Sequence, residues 1–368
     1  TLLNSQKEFD SEFLKTTIES VLNQILKTVN KQFISKNEEN QEYYLDLKKS
    51  VDYQAKIEQK MDDLSDENLN RYYFEVLTKV MELSDNTYVT NFRIWEHEVS
   101  WNEKNIGRTG YLFFGDSVER PTANPTRDFY INFKNPFGES KITDSSKRDE
   151  VNIILENKSE EFIESLKLYA AARELYVIST GESKKIYKDY SDGEYYRKVG
   201  KWLNDNLISA YSIEYDGSTK TLGECLIGSK SRRLGMRHTI NEAVSRTLNS
   251  YFNEKSPQYP KFDTPVTLSN IGRVAEEAIT WISTPRKTEL GAKILDALEL
   301  LDGNNLKPNK SRYVKEIVNL IETKGQGQVL NRSEVIYDDN GIEYGIKYRL
   351  EPEWIAVILS ALVYTGEI

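Results

Sequence analysis

The chain has 368 residues, 38% of them hydrophobic and 29% charged, enough to bury a core and typical of a globular rather than a disordered chain. Its formal charge of −9 excludes a surface built for general coating of nucleic acid, though not a local basic patch. A single cysteine, Cys225, excludes internal disulfides and cysteine-based zinc clusters and suits a reducing cytoplasm; His97 and His238 are the only histidines, and no apolar run reaches the roughly 18 residues of a membrane span.

Residues 1–86 read as a helical region. Phe13, Thr17, Val21, Ile25 and Val29 recur at helical spacing, as do Tyr53, Ile57, Met61 and Leu64. Ser65 then stands as an N-cap before a third stripe of Leu69, Tyr72, Tyr73, Val76, Leu77 and Val80. From residue 87 the period changes. Runs over 88–101, 110–114, 128–133 and 151–155 are β-branched and aromatic, separated by Gly, Pro, Asn and Ser, and predict four strands of a mainly antiparallel sheet. Helices follow over 159–179 and 195–207, then a strand over 210–215, then a helix with Ile240, Val244, Leu248, Tyr251 and Phe252 on one face, which closes an α+β domain at 87–256. Three prolines within 257–265 predict a linker over 257–266.

The last region, 267–368, opens with three short amphipathic helices. A hairpin over 329–337 and 342–350 follows, turning at Asn340-Gly341, and then a helix over 354–364 that is apolar almost all round. Three helices and a two-stranded wing predict a winged-helix-like unit. The final helix needs a cover and reads as truncated, so the chain reads as a fragment of a larger protein. The expected fold class is α+β, multi-domain and mostly helical, with a small mainly antiparallel sheet and a C-terminal winged-helix-like unit.

Gly223 to Ser231 approaches a phosphate-binding loop but has Ser229 where that loop requires lysine, so the amine cannot reach the phosphates. Lys230, Arg232, Arg233, Arg237 and His238 form the densest basic cluster, and Lys307, Lys310, Arg312 and Lys315 surround the start of the third C-terminal helix. Either set can contact phosphate or nucleic acid; the plainer readings are a solvated helix face with internal salt bridges and a protein-contact module. Glu156 and Lys158 end a strand in a Glu-x-Lys arrangement that, with Asp128 or Asp144 upstream, can hold magnesium in a nuclease. The plainer reading is a surface turn before a helix capped by Ser159. His97 lies on an alternating strand, where a structural role is expected.

Three segments carry a resemblance. Tyr43-Tyr44-Leu45-Asp46-Leu47-Lys48-Lys49-Ser50-Val51-Asp52-Tyr53 with Leu69-Asn70-Arg71-Tyr72-Tyr73-Phe74, then Pro125-Thr126-Arg127-Asp128-Phe129-Tyr130-Ile131-Asn132-Phe133, then Leu166-Lys167-Leu168-Tyr169-Ala170-Ala171-Ala172-Arg173-Glu174-Leu175 resemble the central part of very large ATPases of bacterial phage-exclusion (BREX-type) defence, the PglY and BrxC-like proteins. The resemblance implies a P-loop module using ATP and Mg elsewhere in the parent protein, and a role in antiviral defence. No Walker A sequence stands in this chain, so no phosphate-binding residue carries over and no cofactor is expected in this segment. The role expected is a non-catalytic interaction or coupling segment in the cytoplasm, away from membranes, with the remainder of the parent ATPase, other defence-system proteins or DNA as partners. The alternative is a Mg-dependent nuclease using Asp128, Glu156 and Lys158.

Overall fold

The structure, a computed structural model, describes residues 11–28, 34–36, 42–45, 52–84, 87–89, 92–116, 125–138, 147–229, 235–324, 327–337, 341–345 and 347–368. The fold is α+β and mostly helical. Helix α1 (Ser11–Thr28) carries Phe13, Thr17, Val21 and Ile25 of the first sequence stripe, Val29 lying outside the described residues, and a short antiparallel pair, β1 (Ile34–Lys36) with β2 (Tyr43–Leu45), interrupts the region expected to be helical throughout. Helices α2 (Tyr53–Met61) and α3 (Asp66–Val80) follow. Ser65 caps α3 as expected, with Asn68 completing the capping box by accepting from the Ser65 backbone N–H at 3.2 Å.

A sheet of seven strands runs in the order β3 (Thr87–Val89), β4 (Phe92–Trp101), β5 (Ile106–Phe114), β6 (Tyr130–Phe133), β7 (Glu150–Leu155), β8 (Tyr211–Tyr215) and β9 (Ser218–Thr221). Its outer pairings are antiparallel, as expected, but β5, β6 and β7 are parallel to one another. The long segments 115–129 and 134–149 return the chain to the same end of the sheet each time, which hairpins do not do. One face buries Trp95, Leu112, Ile131, Phe133, Val151 and Ile153 in the main core. The other has a small cluster of Ile94, Tyr111, Phe113 and Tyr130, beside buried Asn132, Lys134 and Asn152.

Helices α4 (Glu160–Ile178), α5 (Gly181–Asp189), a π-helical turn (Tyr190–Tyr195), α6 (Tyr196–Asp205) and α7 (Leu207–Ala210) lie between β7 and β8. Both α2 and α3 pack on α4 and share the main core with the sheet, so the expected boundary at residue 86 divides nothing. The short α8 (Leu222–Cys225) and the long α9 (Met236–Lys255) come next, and α9 crosses β4, with Phe252 against Trp101 at 5.7 Å between ring centres.

Residues 257–266, expected as a linker, form a bound strap. Tyr259, Phe262 and Val266 are buried in the main core. The backbone follows the β4–β5 turn: Phe262 N–H donates to Lys104 O at 3.1 Å, Val266 N–H to Asn105 O at 2.9 Å and Gly107 N–H to Val266 O at 2.8 Å. Proline denies a helix, but it permits this extended path with alternate side chains inward.

Beyond the strap stand α10 (Ile271–Ser283), α11 (Glu289–Ala297), a minimal hairpin of β10 (Leu301–Asp302) and β11 (Asn305–Leu306), α12 (Arg312–Glu322), α13 (Arg332–Ile336) and α14 (Pro352–Thr365). The three helices of the expected winged-helix-like unit are present. The long wing is not, among the described residues. Asn331 and Glu334 form a capping box that starts α13 inside the first expected strand, and one bridge, Tyr337 with Glu343, marks the pairing among the described residues. Asp338, Asp339 and Asn340 of the expected turn lie outside the described residues, whereas Gly341 has φ +74°. The apolar α14 finds its cover in α10, α12 and the strap, where the tilted rings of Phe262 and Trp354 pack with centres 4.8 Å apart. Among the described residues no helix is long and apolar enough to cross a membrane.

Candidate functional site

The most heavily charged buried place in the fold joins the sheet to the C-terminal helices. Arg108 sits on β5, a strand otherwise apolar or small, with its side chain only 1% exposed. Its Nε and Nη2 both donate to Asp128 Oδ2 at 2.9 Å, and its Nη1 donates to Glu351 Oε1 at 2.8 Å and to Arg349 O at 3.1 Å. Arg349 Nη2 donates to the other oxygen of Asp128 at 2.6 Å. Tyr259 donates to Glu351 Oε2 and accepts from Trp354 Nε1–H at 3.2 Å. The Tyr344 ring lies 3.8 Å beneath the Arg108 guanidinium.

Two cations and two carboxylates therefore cancel inside a sealed joint. Burial opposes the charge on Arg108, but Tyr344, Asp128 and Glu351 hold its pKa well above the usual guanidinium value. Burial pushes the Glu351 carboxyl upward against the pull of Arg108. A second contact closes the rim, where Arg127 reaches Glu96 at 2.6 Å and Glu343 at 3.5 Å, and Thr126 bridges Ile342. What this arrangement does is mechanical: removing any one charge leaves the buried cluster with a net uncompensated charge, at a cost of about 3–5 kcal/mol.

The joint explains the missing wing. Arg349 has φ +53°, a left-handed conformation that ends the expected strand 342–350 and lets the guanidinium reach Asp128. Ile342, Tyr344 and Leu350 alternate because they face the core in turn, without a ladder. Of the joint's residues the sequence reading singled out Asp128 for chemistry; Arg108, Tyr259, Arg349 and Glu351 went unremarked as a group. The available signal was Arg108 itself, a charge set in an apolar strand.

The expected nuclease residues do not converge. Tyr130 pairs with Glu150, so Asp128 precedes that level and Glu156 follows it along parallel strands, a separation on the order of 25 Å. Metal ligands sit about 2.0–2.6 Å from their ion. Asp128 is committed to two arginines, Glu156 accepts from Ser212 Oγ at 2.8 Å, and Lys158 donates to Leu155 O at 3.3 Å in the turn before α4. Among the described residues no group of three or more His, Cys, Asp or Glu side chains is placed to hold a metal.

Asp144, Lys230, Arg232 and Arg233 lie outside the described residues. Arg237, at the start of α9, donates to Glu82 O at 2.9 Å beyond the end of α3. Lys310 binds Asp302 at 2.6 Å and Arg312 binds Glu299 at 2.7 Å, so both are tied to carboxylates of the preceding turn; Lys315 is exposed on α12. The near P-loop follows the exposed strand β9, where α8 is capped by Thr221 and Gly228 turns at φ +78°. His97 is buried, with Nε2 bonded to Asn241 Oδ1 at 2.6 Å.

Neither curated proteins nor solved structures give a match. Three family models do: the DUF6079 second domain over residues 1–51, the DUF6079 third domain over 55–256, and the family of unknown function (DUF6079) 4th domain over 271–368. The ionic joint thus links the third domain, through Arg108 and Asp128, to the fourth, through Arg349 and Glu351, and the chain belongs to the DUF6079 family.

Proposed function

We propose that this chain is a non-catalytic coupling segment of a cytoplasmic phage-defence ATPase, passing strain between the nucleotide-using part of its parent protein and a partner from the same defence system. ATP and magnesium belong to the parent in this reading. The observation that supports it is the buried joint of Arg108, Asp128, Arg349 and Glu351, which makes the fourth domain move with the third as one body. A segment that transmits position needs such stiffness. The pairing of Lys310 and Arg312 with acids favours a protein partner over DNA for the C-terminal unit.

The test uses the full-length parent carrying Glu351→Gln, which keeps hydrogen bonds but removes a charge, and Arg349→Met, which removes one side of the pair to Asp128. Both variants are expected to retain ATP hydrolysis within about twofold while phage protection falls by roughly tenfold or more, the expected stability loss being ~3–5 kcal/mol for Arg349→Met. The isolated chain is expected to release no phosphate from magnesium-ATP. Full protection by a variant whose melting curve shows a loosened joint sinks the proposal, as does turnover by the isolated chain that a substitution within it abolishes.

A further inference from the structure

A second feature owes nothing to the coupling reading. Between α3 and the sheet, at the carboxyl ends of β5 and β6, lies an open groove of about 840 Å³. Open sheets with parallel strands gather ligands at this end, and the volume falls within the range of small-molecule sites. Three arginines from three elements line it: Arg71 of α3, Arg93 of β4 and Arg173 of α4. The floor is aromatic. Phe74 stacks on Phe114 with ring centres 4.8 Å apart and planes 4° from parallel, and Trp95 leans on Phe114 at 4.8 Å.

In a chain of net charge −9, three arginines on one groove call for an explanation. Two acids, Glu75 and Asp116, line the groove with them. Glu75 is bound by Arg173 at 2.9 Å and by the Tyr169 hydroxyl at 2.8 Å, and Asp116 accepts the Asn135 N–H at 3.1 Å. Glu174, the neighbour of Arg71 at 3.7 Å, already receives the Tyr72 hydroxyl at 2.6 Å, and the Arg71 side chain is 65% exposed. Arg173 keeps its Nε–H buried with no acceptor. Buried donors of that kind are rare unless a ligand, ion or water completes them.

We propose that this groove binds a nucleoside phosphate unit, either a free nucleotide or the 5′-phosphorylated end of a single strand. The guanidinium forks suit phosphate oxygens, for which they are planar and bidentate donors. The aromatic floor suits a base, whose flat face stacks without reading sequence. Carboxylates of an acidic peptide would satisfy the arginines but make no use of the aromatic floor.

Calorimetric titration of the intact chain at low salt, without magnesium, tests this with AMP, adenosine, and octathymidylate bearing a 5′-phosphate or a 5′-hydroxyl. AMP, the phosphorylated strand or both should saturate a single site at least about tenfold more tightly than the unphosphorylated probes, the discrimination that one charged hydrogen bond supplies. AMP alone identifies a free nucleotide; the phosphorylated strand alone identifies a strand end. Arg71→Glu, at an exposed position, should weaken binding about tenfold or more while the far-UV spectrum stays that of the folded chain, and Arg173→Lys, which keeps the charge but loses the fork, should weaken it as well. The proposal fails if no phosphorylated probe saturates by millimolar concentration, if binding survives both Arg71→Glu and Arg93→Gln, or if a polyglutamate peptide displaces the probe at equal concentration.

Discussion

His97 shows how far an imidazole can be from chemistry. Its strand position turns it toward α9, where Nε2 meets Asn241 and Nδ1 is buried with no partner, and burial holds its pKa below the ordinary value. A proton on this ring is taken up more readily by the unfolded chain than by the folded one. Stability from the neutral ring is therefore present above the unfolded pKa of about 6.5 and is lost as pH falls through that value toward the lower folded one. Urea midpoints measured from about pH 7.5 down to about pH 5 should fall, and His97→Gln should flatten part of that slope. Parallel slopes in the two proteins would contradict the assignment. Asp128 teaches a related lesson: a carboxylate picked out for metal binding proves to be the counter-charge of two arginines, one of them distant in sequence by 221 residues.

At the scale of elements, close approach decides as much as propensity. A Cβ placed on Gly291 in α11 would lie 2.7 Å from Glu277 O and 2.9 Å from Trp281 Cβ of α10. Alanine there gains roughly 0.5–1 kcal/mol of helix propensity but forces two packed helices apart, an overpacking cost of about 1–3 kcal/mol. The steric effect should win, so Gly291→Ala should lower the melting temperature; a rise would mean that the helices yield freely. The helical stripes behind α3, α4, α9, α10 and α12 were legible because each repeats every three to four residues over several turns. The parallel centre of the sheet was not, since strand direction depends on where segments 115–129 and 134–149 return the chain, and no local pattern records that. The wing was misread because alternation also arises in a loop whose residues face a core in turn. The joint was legible only in part, as its members come from four stretches of chain.

For the molecule as a whole, one main core runs from Ile57 to Leu362 and takes in the strap. The family-model boundary between the third and fourth domains, which leaves residues 257–270 between them, therefore crosses buried side chains rather than a gap. Limited proteolysis should leave 257–266 uncut until the chain unfolds globally, because its backbone is hydrogen-bonded to the β4–β5 turn. Early release of a fragment beginning near Thr267 would show instead that the strap opens by itself.

The length of chain between Arg108 and Glu351, 243 residues, sets an order on synthesis. At about 5–20 residues per second a ribosome needs roughly 12–50 s to deliver Glu351 after Arg108 has been made. Until then Arg108 and Asp128 lack their fourth-domain partners, and the apolar faces that α14 will cover are bare from the moment they are made. The nascent third domain is thus obliged to wait for its fourth. A pause in translation between the codons of Arg108 and Glu351 would lengthen the time in which those bare faces are available to chaperones or to aggregation.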